Sequence, residues 1–134
     1  MGLGRFGGGL SAAESLLAEG RQVLVTDLAE EEALQASVTK LRETFGAQVS
    51  FRLGGHEQED FAQAGLVIAN PAVPQPWHNP YLQTAWESGA TVTTEIAHTL
   101  GQLSDRKTIA ITGSAGKSTT TAMTHAALVA ADIP

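Results

Sequence analysis

The chain has no cysteine, which excludes disulfide frameworks, thiolate metal sites and a cysteine nucleophile. Charged residues are scarce at 16% and aromatic residues at 5%. With hydrophobic residues at 43%, that balance excludes an intrinsically disordered segment, which needs low hydrophobicity and high net charge. Basic residues are few: 8 Lys and Arg stand against 14 Asp and Glu, for a net charge of -6. An acidic chain of this kind is neither a nucleic-acid coat nor a binder of anionic membranes. No apolar run approaches the roughly 20 residues of a membrane span. The first seven residues lack the charged and then apolar pattern of a secretory signal. The expectation is a soluble, cytoplasmic protein with no nucleic-acid and no membrane partner.

What is abundant is glycine, 14 in 134 residues, gathered in short clusters that mark tight turns. Between the clusters, apolar residues alternate between two periods. Leu10, Ala13, Leu16 and Leu17 recur at helical spacing up to Gly20. Val23, Leu24 and Val25 form a short buried-strand pattern ending at Asp27. Leu34, Val38, Leu41 and Phe45 make one helix face, with Glu30 to Glu32 as a solvated acidic start. Strands are expected at 49–53, 66–69, 91–93 and 108–112, and helices at 81–87, 95–103 and 118–131. Four of the five prolines fall between Asn70 and Pro80, which predicts a rigid loop. Trp77 and Trp86 flank it and are expected to pack. The four histidines have no metal-ligand spacing, and Glu95, just past a strand, either faces a cleft or caps a helix.

Strands alternating with helices at this spacing predict an α/β protein with a Rossmann-like, doubly wound parallel sheet. The polar break at 104–106 divides the chain into a first domain, 1–104, and a second segment, 105–134. That second segment is a single βα unit, too short to bury a core by itself.

Two glycine-rich loops carry the chemistry. Gly2-Leu3-Gly4-Arg5-Phe6-Gly7 is a G-x-G-x-x-G opening a helix, which brings backbone and free N–H groups close to a phosphate. Asp27 follows at the end of the next strand, where such folds hold a ribose hydroxyl. Only Met1 precedes the loop where a central strand is expected, so the chain is expected to have been cut or started internally. The second loop is Gly113-Ser114-Ala115-Gly116-Lys117-Ser118-Thr119. It resembles a P-loop, with Ile111 where the first glycine usually stands. Its backbone can cradle phosphates, Lys117 can reach the terminal oxygens, and Ser118 can ligate magnesium. The structural alternatives are a plain Gly turn for the first loop and a Lys-bearing helix start for the second.

In this order the two loops resemble the start of a Mur ligase, the ATP-dependent amino-acid-adding enzymes of peptidoglycan synthesis. Ser114 and Ala115 replace the Thr-Asn usual in the family's loop. The residues 2–7, Val25-Thr26-Asp27 and Asn70-Pro71-Ala72-Val73-Pro74 look most like the branch that adds D-glutamate to UDP-N-acetylmuramoyl-L-alanine. The L-alanine-adding branch is the close competitor.

The resemblance implies substrate diphosphate at Gly4, Arg5, Phe6 and Gly7, with the nucleoside near Asp27 and Asn70. It implies ATP and Mg2+ at residues 113–119, with Lys117 catalytic and Ser118 a metal ligand. The substrate carboxylate would be phosphorylated and the amine of D-glutamate would displace phosphate. By the same resemblance 105–134 is only the first βα unit of a truncated ATPase domain, and the chain alone is expected to be inactive. A nicotinamide (NAD) dehydrogenase fragment and a nucleotide-sensing module stay open as other readings. The strand at 108–112 is expected to pair with the first-domain sheet, within one chain or by exchange in a homodimer.

Overall fold

The computed structural model describes residues 1–4, 7–103 and 107–133. The chain divides into two units, Met1–Gln102 and Leu103–Pro134.

In the first unit, helix α1 (Gly8–Ala18) starts at Gly7, whose φ of 87° is left-handed, and buries Ala13, Leu16 and Leu17. Strand β1 (Val23–Asp27) follows. Helix α2 (Glu31–Phe45) buries Leu34, Val38 and Leu41, spaced 4 and 3 apart, so one stripe faces the core. Glu31 and Glu32 open it and Arg42 closes it, each charge matching the helix dipole. Strand β2 (Val49–Leu53) pairs parallel with β1, from Val23 opposite Val49 to Asp27 opposite Leu53.

A short helix α3 (Gln58–Ala62), not expected from the sequence, buries Phe61. Strand β3 (Leu66–Ile68) pairs parallel with β4 (Thr91–Thr93). Between them lies helix α4 (Pro80–Glu87), whose start is fixed by Pro80 and by Asn79. The Asn79 side-chain oxygen accepts from the N–H groups of Tyr81 and Leu82 at 3.1 and 3.2 Å. Helix α5 (Glu95–Gln102) ends the unit.

Two apolar clusters hold these elements. One joins Leu3, Leu17, Val25, Val38 and Leu41 beneath β1 and β2. The other joins Phe61, Val67, Leu82 and Ala85 beside β3 and β4. Leu41 and Leu82 are fully buried, and each contributes about 1.5–3 kcal/mol of transfer free energy.

The architecture is mixed α/β with parallel strands, but the single sheet expected from the sequence is two separate two-stranded sheets, β1-β2 and β3-β4. Met1 to Leu3 thread between them. The Gly2 N–H donates to the Thr26 carbonyl at 2.7 Å, and the Met1 carbonyl accepts from the Asn70 N–H at 3.0 Å. Three residues are too few to join two sheets along their length.

The second unit has helix α6 (Lys117–Ala130). Residues 107–112 form no strand, contrary to expectation. An apolar run becomes a strand only when a neighbouring edge supplies its ladder. The expected packing role of the two tryptophans also fails, since Trp77 is 63% and Trp86 45% exposed. The expected break at 104–106 lies outside the described residues.

Candidate functional site: two glycine loops

The first loop is closed by contacts from distant parts of the chain. Gly2 and Gly4 are left-handed, with φ of 80° and 67°. The Gly4 N–H donates to Asp27 Oδ2 at 3.0 Å, and the Ala29 N–H donates to Asp27 Oδ1 at 2.9 Å. One carboxylate at the end of β1 therefore shapes both the loop and the turn after the strand. Each oxygen keeps a further lone pair for a hydroxyl donor. Asn70 holds the other side: Nδ2 donates to the Gly2 carbonyl at 3.2 Å and Oδ1 accepts from the Ala72 N–H at 2.9 Å. A Cβ on Gly2 would lie 2.8 Å from Cβ of Asn70, so this approach requires glycine.

No side chain caps the N-terminus of α1, which leaves its dipole facing the loop. The Glu95 carboxylate lies against Gly8, where a side chain would displace it. Gly4, Asp27 and Asn70 thus converge at one edge and Gly7 precedes α1, whereas Arg5 and Phe6 lie outside the described residues. The sequence offered Glu95, just past a strand, as facing a cleft or capping a helix.

His56, for which no sequence signal existed, packs its ring edge-on against Phe61 at 5.8 Å and Tyr81 at 5.3 Å. Its Nδ1 is buried without a partner. Burial lowers the His56 pKa and the Met1 ammonium adds to this, while Asp27 and Asp60 oppose it. The Met1 ammonium itself donates to the Ile68 carbonyl at 3.0 Å. Burial pulls its pKa from 8.0 down to about 6, against the attraction of Asp27.

The second loop is built locally. Gly116, with φ 78°, starts α6 without a side-chain cap, and Gly113 has φ 154°. Lys117 Nζ donates to the Gly113 carbonyl at 2.6 Å, so the ammonium lies across its own loop. Ser114, Ala115, Ser118 and Thr119 are exposed around it. A Cβ on Gly116 would meet nothing within 4 Å, so the hollow is open. An ammonium, a hydroxyl at the first turn and an uncapped helix start are a donor set that fits phosphates with a magnesium ion. Among the described residues no group of three or more His, Asp or Glu could hold a metal. No helix among them is long and apolar enough to cross a membrane.

Known proteins resemble this chain over most of its length. The family described as "Mur ligase MurD-like, N-terminal domain" matches residues 1–94. The UDP-N-acetylmuramoylalanine--D-glutamate ligase of Roseiflexus sp. (strain RS-1) is 40% identical over 128 residues, covering 96% of this chain and 26% of the relative. The ligase of the same name from Geobacter metallireducens is 42% identical over 120 residues, covering 87% and 24%. That from Treponema pallidum (strain Nichols) is 42% identical over 120 residues, covering 90% and 22%. The chain therefore spans about a quarter of the length of these curated relatives. No solved structure matches. With the family's N-terminal domain covering residues 1–94, the chain belongs to the Mur ligases of the MurD-like kind.

Proposed function

We propose that this chain is the N-terminal part of a cytoplasmic, ATP-dependent ligase that adds D-glutamate to UDP-N-acetylmuramoyl-L-alanine in peptidoglycan synthesis. In this reading residues 1–104 are a Rossmann-like domain that binds the UDP-substrate. Residues 105–134 begin the ATP-binding domain with its P-loop.

The observation that carries the reading is the Gly4 to Asp27 hydrogen bond at 3.0 Å, which ties a glycine loop and an acidic strand end into one edge. Substrate diphosphate would meet the start of α1 near Gly4 to Gly7, and the nucleoside would lie by Asp27 and Asn70. The named relatives support D-glutamate over L-alanine as the added residue, and over a nicotinamide cofactor.

Residues 113–119 would hold ATP, with Ser118 a ligand to Mg2+; bound there, ATP supplies the phosphoryl group that activates the substrate carboxylate. Lys117 would leave the Gly113 carbonyl and neutralise charge on the phosphates, work that is positioning and electrostatics. The covered quarter of the relatives does not account for the whole reaction. Turnover belongs to the longer enzyme, and the chain alone is expected to bind without catalysing.

Calorimetric titration with UDP, NAD and ATP tests the assignment. UDP should bind to the first unit and NAD should not. Asp27→Ala removes two charge-assisted bonds to backbone N–H groups and should weaken UDP binding about tenfold or more. UDP affinity unaltered by that change, or NAD binding tighter than UDP, would refute the reading.

A further inference from the structure

Three rings meet in the first unit. His56 packs edge-on against Phe61 of α3 and Tyr81 of α4, and the Phe61 and Tyr81 rings lie 5.4 Å apart between centroids. Phe61 is buried and Tyr81 packs beside it, so the His56 ring is seated on the second apolar cluster. The turn just before His56 belongs instead to the frame of the first loop. The Gly55 N–H donates to the Asp27 carbonyl at 3.0 Å, and the Gly54 N–H donates to the Ala29 carbonyl at 3.0 Å. Asp27 in turn accepts the Gly4 and Ala29 N–H groups on its two carboxylate oxygens. Through that turn, His56 connects the end of β1, where the glycine loop is held, to helices α3 and α4.

This seat suits one protonation state. Nδ1 is buried and has no partner. A neutral ring can keep its single hydrogen on Nε2 and leave Nδ1 bare, whereas an imidazolium carries N–H at both nitrogens. The charges that act on the ring are Asp27 and Asp60, which favour the imidazolium, and the Met1 ammonium, which opposes it; Tyr81 is the titratable group in ring contact. Neither acid bonds to Nδ1. Asp27 is engaged with Gly4 and Ala29, and both oxygens of Asp60 are engaged by the Arg52 guanidinium. A second proton on His56 thus sets a charged donor without an acceptor among carbon rings, a loss that is relieved when the ring leaves.

We propose that His56 is a positioning residue for the nucleotide edge: neutral, it anchors the turn at residues 54–55 on Phe61 and Tyr81 and so fixes Asp27, and protonated, it leaves the rings and the turn releases the strand end. The clasp stands by itself, and its effect on a ligand rests on the reading of the first loop as a UDP site. Ligand binding and protonation then oppose each other. By linkage, the ligand must lower the His56 pKa to the extent that acid weakens the ligand. Burial already lowers that pKa in the free chain. The acid and the glycine loop would thus be set for binding at neutral pH and loosened below it.

The test uses the full chain with its N-terminus acetylated, so that Met1 carries no charge. Magnetic resonance follows the His56 ring titration and the exchange protection of the Gly55 amide, taken relative to that of Leu41 in α2, from pH 7.5 to 5.5. The Gly55 ratio should fall about threefold or more over this range, with the His56 midpoint below its ordinary 6.5. It should stay flat in His56→Phe, which keeps a ring and has nothing to titrate. Tyr81→Leu, which removes one wall of the seat, should raise the His56 midpoint toward 6.5 and lower Gly55 protection already at pH 7.5. A flat ratio in the unsubstituted chain, an equal fall in His56→Phe, or a midpoint at or above 6.5 overturns the proposal. The ligand arm uses saturating UDP-N-acetylglucosamine, whose esterified diphosphate does not titrate in this range. It should lower the His56 midpoint further, and binding that leaves the midpoint in place overturns the positioning role. Absence of binding while Gly55 follows His56 supports the clasp and refutes the UDP reading, which keeps the two failures apart.

Discussion

The two glycine loops follow one plan and are held in opposite ways. Each ends at a left-handed glycine that opens a helix, Gly7 for α1 and Gly116 for α6. The first is shaped by side chains remote in sequence, Asp27 acting 23 positions away and Asn70 68 positions away. The second is shaped by Lys117 reaching back four positions to Gly113. The difference separates two ways of making an anion site. One needs the surrounding α/β unit to be in place, and the other needs little beyond its own ten residues or so. Damage to the fold should therefore abolish the first site and spare the geometry of the second.

The largest expected effect comes from Gly9→Ala. A Cβ there would lie 2.6 Å from the Gly2 carbonyl oxygen and would also strike that of Leu3, both of them backbone. The cost should be about 2–4 kcal/mol, read as a lower midpoint of thermal unfolding. Gly116→Ala has open space and bears only left-handed strain, about 1 kcal/mol, read as faster exchange at the start of α6. Equal losses at the two positions would break the comparison.

Next in size is the pH dependence of the first unit. The Met1 amine titrates near 6 when folded and at 8.0 when unfolded, so the unfolded chain binds more protons between these values. Stability should then be full above pH 8 and fall as pH drops toward 6. Two pKa units at about 1.4 kcal/mol each bound the loss at about 3 kcal/mol. His56, also lowered by burial, adds a loss of the same sign below its ordinary value of 6.5. Denaturant midpoints across pH 5 to 9 measure the sum, and acetylation of the N-terminus should remove the part that lies above pH 6.5.

Lys117→Ala sharpens the comparison from the other side. Losing one charge-assisted hydrogen bond, about 1.5–3 kcal/mol, should weaken ATP or sulfate binding tenfold or more without moving the unfolding midpoint of the first unit. The smallest effect is that of Glu95→Gln. Removing the carboxylate that lies against Gly8 should tighten UDP binding to the first loop severalfold, about 0.3–1 kcal/mol of helix-end electrostatics. Weaker binding in this variant would assign Glu95 a contact with the ligand.

Local pattern was legible and pairing was not. The apolar stripe Leu34, Val38, Leu41 and the run Val23 to Val25 located α2 and β1 to within a residue or two, because burial imposes the helix and strand periods directly. Helix α3 was missed because Phe61 is its one buried side chain and five residues show no period. The strand expected at 108–112 does not form because periodicity reports an apolar run and is silent about its neighbour. In the site, the spacing from Gly7 to Asp27 was visible, while the closure by Asn70, the approach of Glu95 to Gly8 and the pairing of His56 with Phe61 and Tyr81 depend on tertiary contact. The bonds from the Asn70 side chain to the Gly2 carbonyl and the Ala72 N–H were likewise out of reach of local pattern.

None of the described side chains in residues 107–133 is buried. Ile109, Met123 and Val129 are each more than three-fifths exposed. In dilute buffer the net charge of -6 keeps such molecules apart. Raising the salt shortens the reach of that repulsion from about 10 Å at 0.1 M to about 3 Å at 1 M, and sulfate strengthens the apolar attraction as well. The handling of this protein is therefore governed by its colloid chemistry as much as by its folding. Its solubility should fall steeply in ammonium sulfate while its secondary structure is still intact.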